Sequence, residues 1–182
     1  MATELDEHVD QFRHRPLDQA GPFTFVAADA LTMKVREGGR VINALVLIAT
    51  GVNADGRREV LGLRVATSQT GAAWTSFFAD LVARGLTGVR LVTSDAHPGL
   101  VQAIAANLPG ALWQRCRTHD AANLMSVRPK SYWPAVKAML HSVYDQPDAA
   151  SVHAQFDRLL DYVGDKLPDA HDHLDGARAD IL

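Results

Sequence analysis

The chain is poor in several features that would place it quickly. It has one cysteine, Cys116, so no disulfide can form within it. No apolar run reaches the roughly 18 residues that a membrane-spanning helix needs. Residues 1–15 are acidic and polar, with no apolar stretch of the kind a signal peptide carries. These absences give the expectation of a cytoplasmic protein with no membrane partner. There is no run of five basic residues, and the formal net charge is −3. That argues against a stand-alone nucleic-acid binder, which shows a basic excess or stripe, but it leaves room for a catalytic domain that touches DNA locally. Internal repeats and low-complexity tracts are missing too. What remains is ordinary globular usage, 47% hydrophobic and 21% charged over 182 residues. That is enough for one domain with a sizeable core, or one domain plus an appended helical part.

The apolar pattern divides the chain by period. Residues 1–22, with Arg15-Pro16 and Gly21-Pro22, read as a linker or short helix. A strand-like run covers 23–28, with Asp29 at its end, and a longer β-branched run covers 41–50. Asn53-Ala54-Asp55-Gly56 is a hairpin signal, because Asp-Gly supplies the positive-φ positions of a tight turn. A third strand follows over 58–65, completing an antiparallel meander. Trp74, Phe77, Phe78, Leu81 and Val82 then fall on one helical face, with Ser68 or Thr70 to cap its start and Gly85 to stop it. Residues 89–93 form a fourth strand candidate. Pro98 opens a helix with Leu100, Val101, Ile104 and Ala105 on its apolar face, and 111–114 is a fifth strand candidate. Beyond residue 118 the pattern is helical: Tyr132, Val136 and Leu140; then Val152, Phe156, Leu159, Leu160 and Val163; then a third helix from Pro168 onward. A meander followed by strand–helix–strand is an α/β arrangement with a mixed sheet.

Asp29 and Asp95 stand out chemically. Each follows an apolar strand-like run. With strands one and four adjacent, both carboxylates would emerge at one sheet edge. Paired carboxylates repel unless a cation lies between them, and their hard oxygens suit Mg²⁺ or Mn²⁺. Two such ions can clamp the attacking and leaving oxygens of a phosphodiester. Each aspartate also reads as a solvated turn residue or helix cap, and Ser94-Asp95 before a helix is an ordinary N-cap sequence. Cys116-Arg117-Thr118-His119 has C-x₂-H spacing, at best half a zinc site since structural zinc takes four ligands. Arg115, Asn123, Arg128 and Lys130 could contact DNA phosphates, although charged surface loops are the commoner explanation. Trp74, Trp113 and Trp133 read as core rather than as stacking platforms, and His171-Asp172-His173 as a solvated helix face.

Four stretches, in order, resemble one family. They are Asp29-Ala30-Leu31-Thr32-Met33-Lys34-Val35-Arg36; the hairpin from Gly51-Val52-Asn53 through Gly62; Ser94-Asp95-Ala96-His97-Pro98-Gly99-Leu100; and Trp113-Gln114-Arg115-Cys116-Arg117-Thr118-His119. Together they resemble the Mutator-type transposases of bacterial insertion sequences, over essentially the whole chain. The resemblance implies a ribonuclease H-like mixed sheet with a DDE active site over 23–130, followed over 131–182 by part of an all-helical insertion. It implies catalytic roles for Asp29, Asp95 and His119, with Asp29 and Asp95 holding two Mg²⁺ or Mn²⁺ ions. Cys116 and His119 would form the family's C/D-x₂-H motif. It implies DNA as partner, both element ends and target, a homo-oligomer in the intact enzyme, and a cytoplasmic, nucleoid-associated location.

Two departures accompany the likeness. Ala122 stands before Asn123 where the family has an arginine. The four glutamates are Glu4, Glu7, Glu37 and Glu59, so none can be the family's third carboxylate, a glutamate placed after the inserted helices. The expectation is a fragment that also lacks the family's N-terminal DNA-binding region and is inactive alone. Its last helices are expected to leave apolar stripes exposed. A second reading is a non-catalytic module that associates with full-length transposase and inhibits it. A third is a generic ribonuclease H-like nuclease whose last acid comes from the aspartates between Asp120 and Asp180.

Overall fold

The structure, a computed structural model, describes residues 2–126 and 130–182. Arg128, considered above as a DNA contact, lies outside the described residues. Among these, one five-stranded sheet and seven α-helices form a mixed α/β protein. The chain divides into two compact units, Met1–Gln114 and Arg115–Leu182.

The first unit opens with α1 (Ala2–His14). The meander follows as β1 (Phe25–Glu37), β2 (Arg40–Val52) and β3 (Arg58–Ala66). Next come α2 (Gly71–Ala83), β4 (Leu91–Ser94), α3 (Pro98–Asn107) and β5 (Leu112–Arg115). The sheet order is β3-β2-β1-β4-β5, antiparallel across the meander and parallel between β1 and β4. Strands one and four are therefore neighbours, the arrangement supposed above for the two aspartates. Alternation gives the sheet its core face: Val26, Ala28, Leu47, Ala49 and Val92 are buried with Trp74, Phe77, Phe78 and Leu81 of α2 and Leu100 and Ile104 of α3. Of the two candidate caps for α2, the structure uses Thr70, whose hydroxyl accepts from Ala73 N at 3.2 Å. The Asn53 side chain closes the β2–β3 turn by accepting from the backbone N–H groups of Asp55 and Arg57.

One strand differs from the sequence expectation. Asp29 does not end β1, which continues through it to Glu37 and pairs with β2 along its whole length, turning at Gly38 and Gly39 with φ of 54° and 78°. Leu31, Met33 and Val35 alternate with Thr32, Lys34 and Arg36, a period-2 signal partly masked by its charges. β4 leaves β1 after Ala27, and β3 reaches only to Leu45 of β2. The outer part of the hairpin is thus a two-stranded arm, with Leu31, Met33, Val35, Val41 and Ile42 exposed on it.

The second unit holds α4 (Arg117–Ser126), a short 3-10 turn (Lys130–Tyr132), α5 (Trp133–Tyr144), α6 (Ala149–Gly164) and α7 (Pro168–Ile181). The expectation that the last helices leave their apolar stripes uncovered is corrected here. Leu124, Val136, Leu140, Val143, Phe156, Leu159, Val163, Leu174 and Ile181 are buried together in one core. Four amphipathic helices suffice to cover one another's stripes.

Candidate active site

Residue register sets up the carboxylate pair. Ala27 of β1 lies beside Thr93 of β4 in the parallel ladder. Asp29 and Asp95 each stand two residues further on, so the pleat directs both to the face opposite the core. Asp29 lies inside β1, and Asp95 lies one residue past the end of β4, beyond the last β1–β4 pair. The burial pattern agrees, because Val26, Ala28, Val92 and Ser94 are buried while Asp29 and Asp95 are half-buried.

Each carboxylate is oriented locally. Asp29 Oδ1 accepts from Ala30 N at 2.8 Å, and Asp95 Oδ1 accepts from His97 N at 3.3 Å. The N-cap of α3 is His97, without a side-chain cap bond, so Asp95 sits in the turn before the helix rather than at its cap. Behind Asp95, the buried Ser94 hydroxyl donates to the Asp95 carbonyl at 2.8 Å and accepts from Trp113 Nε1 at 2.9 Å. Trp113 therefore packs against the core, as expected, and also braces the segment that carries Asp95. His97, not singled out in the sequence, contributes the N–H that binds Asp95, and its Nδ1 is buried without a hydrogen-bond partner. Gly71 and Gly99 bring the starts of α2 and α3 together. A Cβ on Gly99 would meet Gly71 N and Cα at 2.7 Å, so this contact fixes where the Asp95 turn enters α3.

The other candidates belong to the second unit. Cys116 and His119, both half-buried, flank the start of α4, where the Cys116 carbonyl accepts from Asp120 N at 2.9 Å. No group of three or more His, Cys, Asp or Glu side chains that could hold a metal occurs among the described residues. Arg115 is engaged with protein carboxylates, 3.0 Å from Asp180 and 3.5 Å from Asp120. Asn123 and Lys130 are exposed. Two corrections concern aromatic and histidine residues. His173 is not on a solvated face: its Nε2 donates to the fully buried Asp120 at 2.9 Å. Trp133 is half-buried at the wall of a cavity rather than in the core, whereas Trp74 is fully buried as expected. The Asp120–His173 bond spans 53 positions, and no local pattern encodes a pair so separated.

The sequence profile described as "Transposase, Mutator family" matches residues 1–182. The chain is 65% identical over its full 182 residues to the transposase for insertion sequence element IS1081 of Mycobacterium tuberculosis, covering 44% of that protein. It is 41% identical over 144 residues to the transposase for insertion sequence element ISRM5 of Rhizobium meliloti, across 79% of this chain and 36% of that one. Among solved structures, the Drosophila P element transposase strand transfer complex aligns with 98% of this chain and 57% of that one, at 9% identity and a TM-score of 0.38, a likeness too slight to assign the fold. The chain belongs to the Mutator family of transposases, and it spans less than half the length of these curated relatives.

Proposed function

We propose that Asp29 and Asp95 are two carboxylates of a divalent-metal centre for DNA cleavage and strand transfer, carried on a ribonuclease H-like core of DDE type. What supports this reading is the parallel register Ala27–Thr93, with Asp29 and Asp95 each two residues further along neighbouring segments. Two carboxylates brought together there need a counter-charge. The donor set fits a hard cation: the first unit offers carboxylate oxygens and contains no cysteine. Mg²⁺ or Mn²⁺ bound there would supply Lewis acidity to a phosphodiester. The chain's own residues do the positioning. Pairing with β2 holds the Asp29 backbone, the Ser94–Trp113 bond braces the strand end before Asp95, and the N–H groups of Ala30 and His97 orient one oxygen of each carboxylate.

DNA ends and target are the substrate in this reading, and the intact enzyme works as an oligomer. Cys116 and His119 act as the C/D-x₂-H motif, with His119 in a catalytic role, and α5 to α7 begin the family's helical insertion. Arg115 is left out of the DNA contacts because Asp120 and Asp180 hold it. No glutamate follows Glu59 in these 182 residues, so the chain by itself offers two of the three carboxylates. Because phosphoryl transfer depends on positioning and charge neutralisation, it is inactive alone. A second reading keeps the same fold as a module that joins full-length transposase and inhibits it; the mutual burial of the apolar faces of α4 to α7 supports an intact helical unit able to make such a contact. Mn²⁺ titration followed by electron paramagnetic resonance tests the carboxylate pair. Weak binding is expected, lost in both Asp29→Asn and Asp95→Asn. Binding that survives both substitutions would rule the pair out as the metal site.

A further inference from the structure

A cavity lies within the second unit, between α4 and α5. It holds about 800 Å³, within the range of ligand sites. Its floor is apolar, built from Ala121, Met125 and Leu140, and its walls carry the rings of Trp133 and Tyr144. The charged groups that line it, Arg117, Lys137 and His141, are all basic in type, and no carboxylate joins them. That bias is local, since residues 115–182 carry ten aspartates against eight lysines and arginines.

Rings and cations are interleaved. The Arg117 guanidinium sits 4.4 Å from the Tyr144 ring centroid, and the Lys130 ammonium 6.0 Å from that of Trp133. The Tyr144 hydroxyl is buried and has no hydrogen-bond partner. Burial first, then the Asp120 carboxylate, pushes its pKa up to about 12, against an opposing effect of Arg117, so it stays a neutral donor. A ligand suited to these walls is flat and aromatic, with a hydrogen-bonding edge and an attached negative charge. Stacking on aromatic side chains beside a basic rim is how proteins hold an unpaired nucleotide.

We propose that this cavity seats one unstacked base of a DNA strand, with Trp133 and Tyr144 as its walls and Arg117 and Lys137 on the flanking phosphates. The inference rests on DNA being this family member's substrate and adds a second point of contact in the helical unit. The test is a fluorescence-anisotropy titration of the 182-residue chain with two duplexes, one carrying a single unpaired adenine and one an abasic residue at the same place. The duplex with the base should bind about tenfold more tightly, as expected for one base stacked on an aromatic ring. Trp133→Ala should erase that preference and Trp133→Phe should restore most of it, with thermal melts showing that both variants fold. Lys137→Glu, at an exposed position, should weaken both duplexes alike. Equal binding of the two duplexes, or a preference that survives Trp133→Ala, overturns the base pocket while leaving DNA as substrate. If neither duplex binds, the base pocket falls, and the separate Mn²⁺ titration decides whether the carboxylate pair falls with it.

Discussion

At Trp113 one side chain has two tasks. Its ring packs against the core of the first unit, and its Nε1 donates to the Ser94 hydroxyl directly before Asp95. The first task is legible in the apolar pattern; the second is not, because a hydrogen bond between strands leaves no periodic trace. The same holds for Asp120, whose partners Arg115 and His173 come from opposite ends of the second unit. Tyr144 gives a prediction at this scale. Its phenol ionises at 10.0 without burial and at about 12 in the folded chain. Folding therefore favours the protonated form. Its contribution is complete below pH 10 and disappears as the pH climbs through about 12. Ultraviolet titration should show a late tyrosine ionisation that Tyr144→Phe removes. Retention of that phase in the variant would assign it to another residue.

At the scale of elements, the close approach of α2 and α3 depends on having no side chain at Gly99. Gly99→Ala places a Cβ 2.7 Å from the Gly71 backbone, which cannot move aside as a flexible side chain would. A loss of about 1–3 kcal/mol is expected in urea unfolding, in the range found for overpacked interiors. Asp95-dependent Mn²⁺ binding should fall with it. An unchanged midpoint together with unchanged Mn²⁺ binding would show that the glycine contact does not set the Asp95 turn. Element order, the mixed sheet and the helical second half are legible in the sequence because each has a clear period and ordinary punctuation: Asp55-Gly56, Thr70, Gly85 and Pro98. The arm of β1 and β2 is less so, because Lys34, Arg36 and Glu37 interrupt an apolar alternation that the strand pairing nevertheless continues. The mutual burial of α4 to α7 was hidden for a different reason: periodicity shows that a helix has an apolar face, not which partner covers it.

At the scale of the whole molecule, two cores hold most of the buried apolar residues, one under the sheet and one among the last four helices. No helix among the described residues is long and apolar enough to cross a membrane. The 182 residues span 44% of the IS1081 transposase, with Asp29 in β1 and Asp95 just after β4 but no glutamate after Glu59. Purified alone with Mg²⁺ or Mn²⁺ and insertion-sequence end DNA, the chain should show no Asp95-dependent cleavage above background; robust cleavage lost in Asp95→Asn would contradict the need for a third carboxylate. The most direct test of the account uses the 65% identity to that relative. The matching 182 residues of the IS1081 transposase are replaced by this chain, and transposition is counted for the chimera with and without Asp29→Asn or Asp95→Asn. The account predicts transposition by the chimera and a loss of about a thousandfold or more with either substitution, since metal ions at such centres supply several kcal/mol of transition-state stabilisation. A folded chimera that transposes equally well with Asp95→Asn would contradict it.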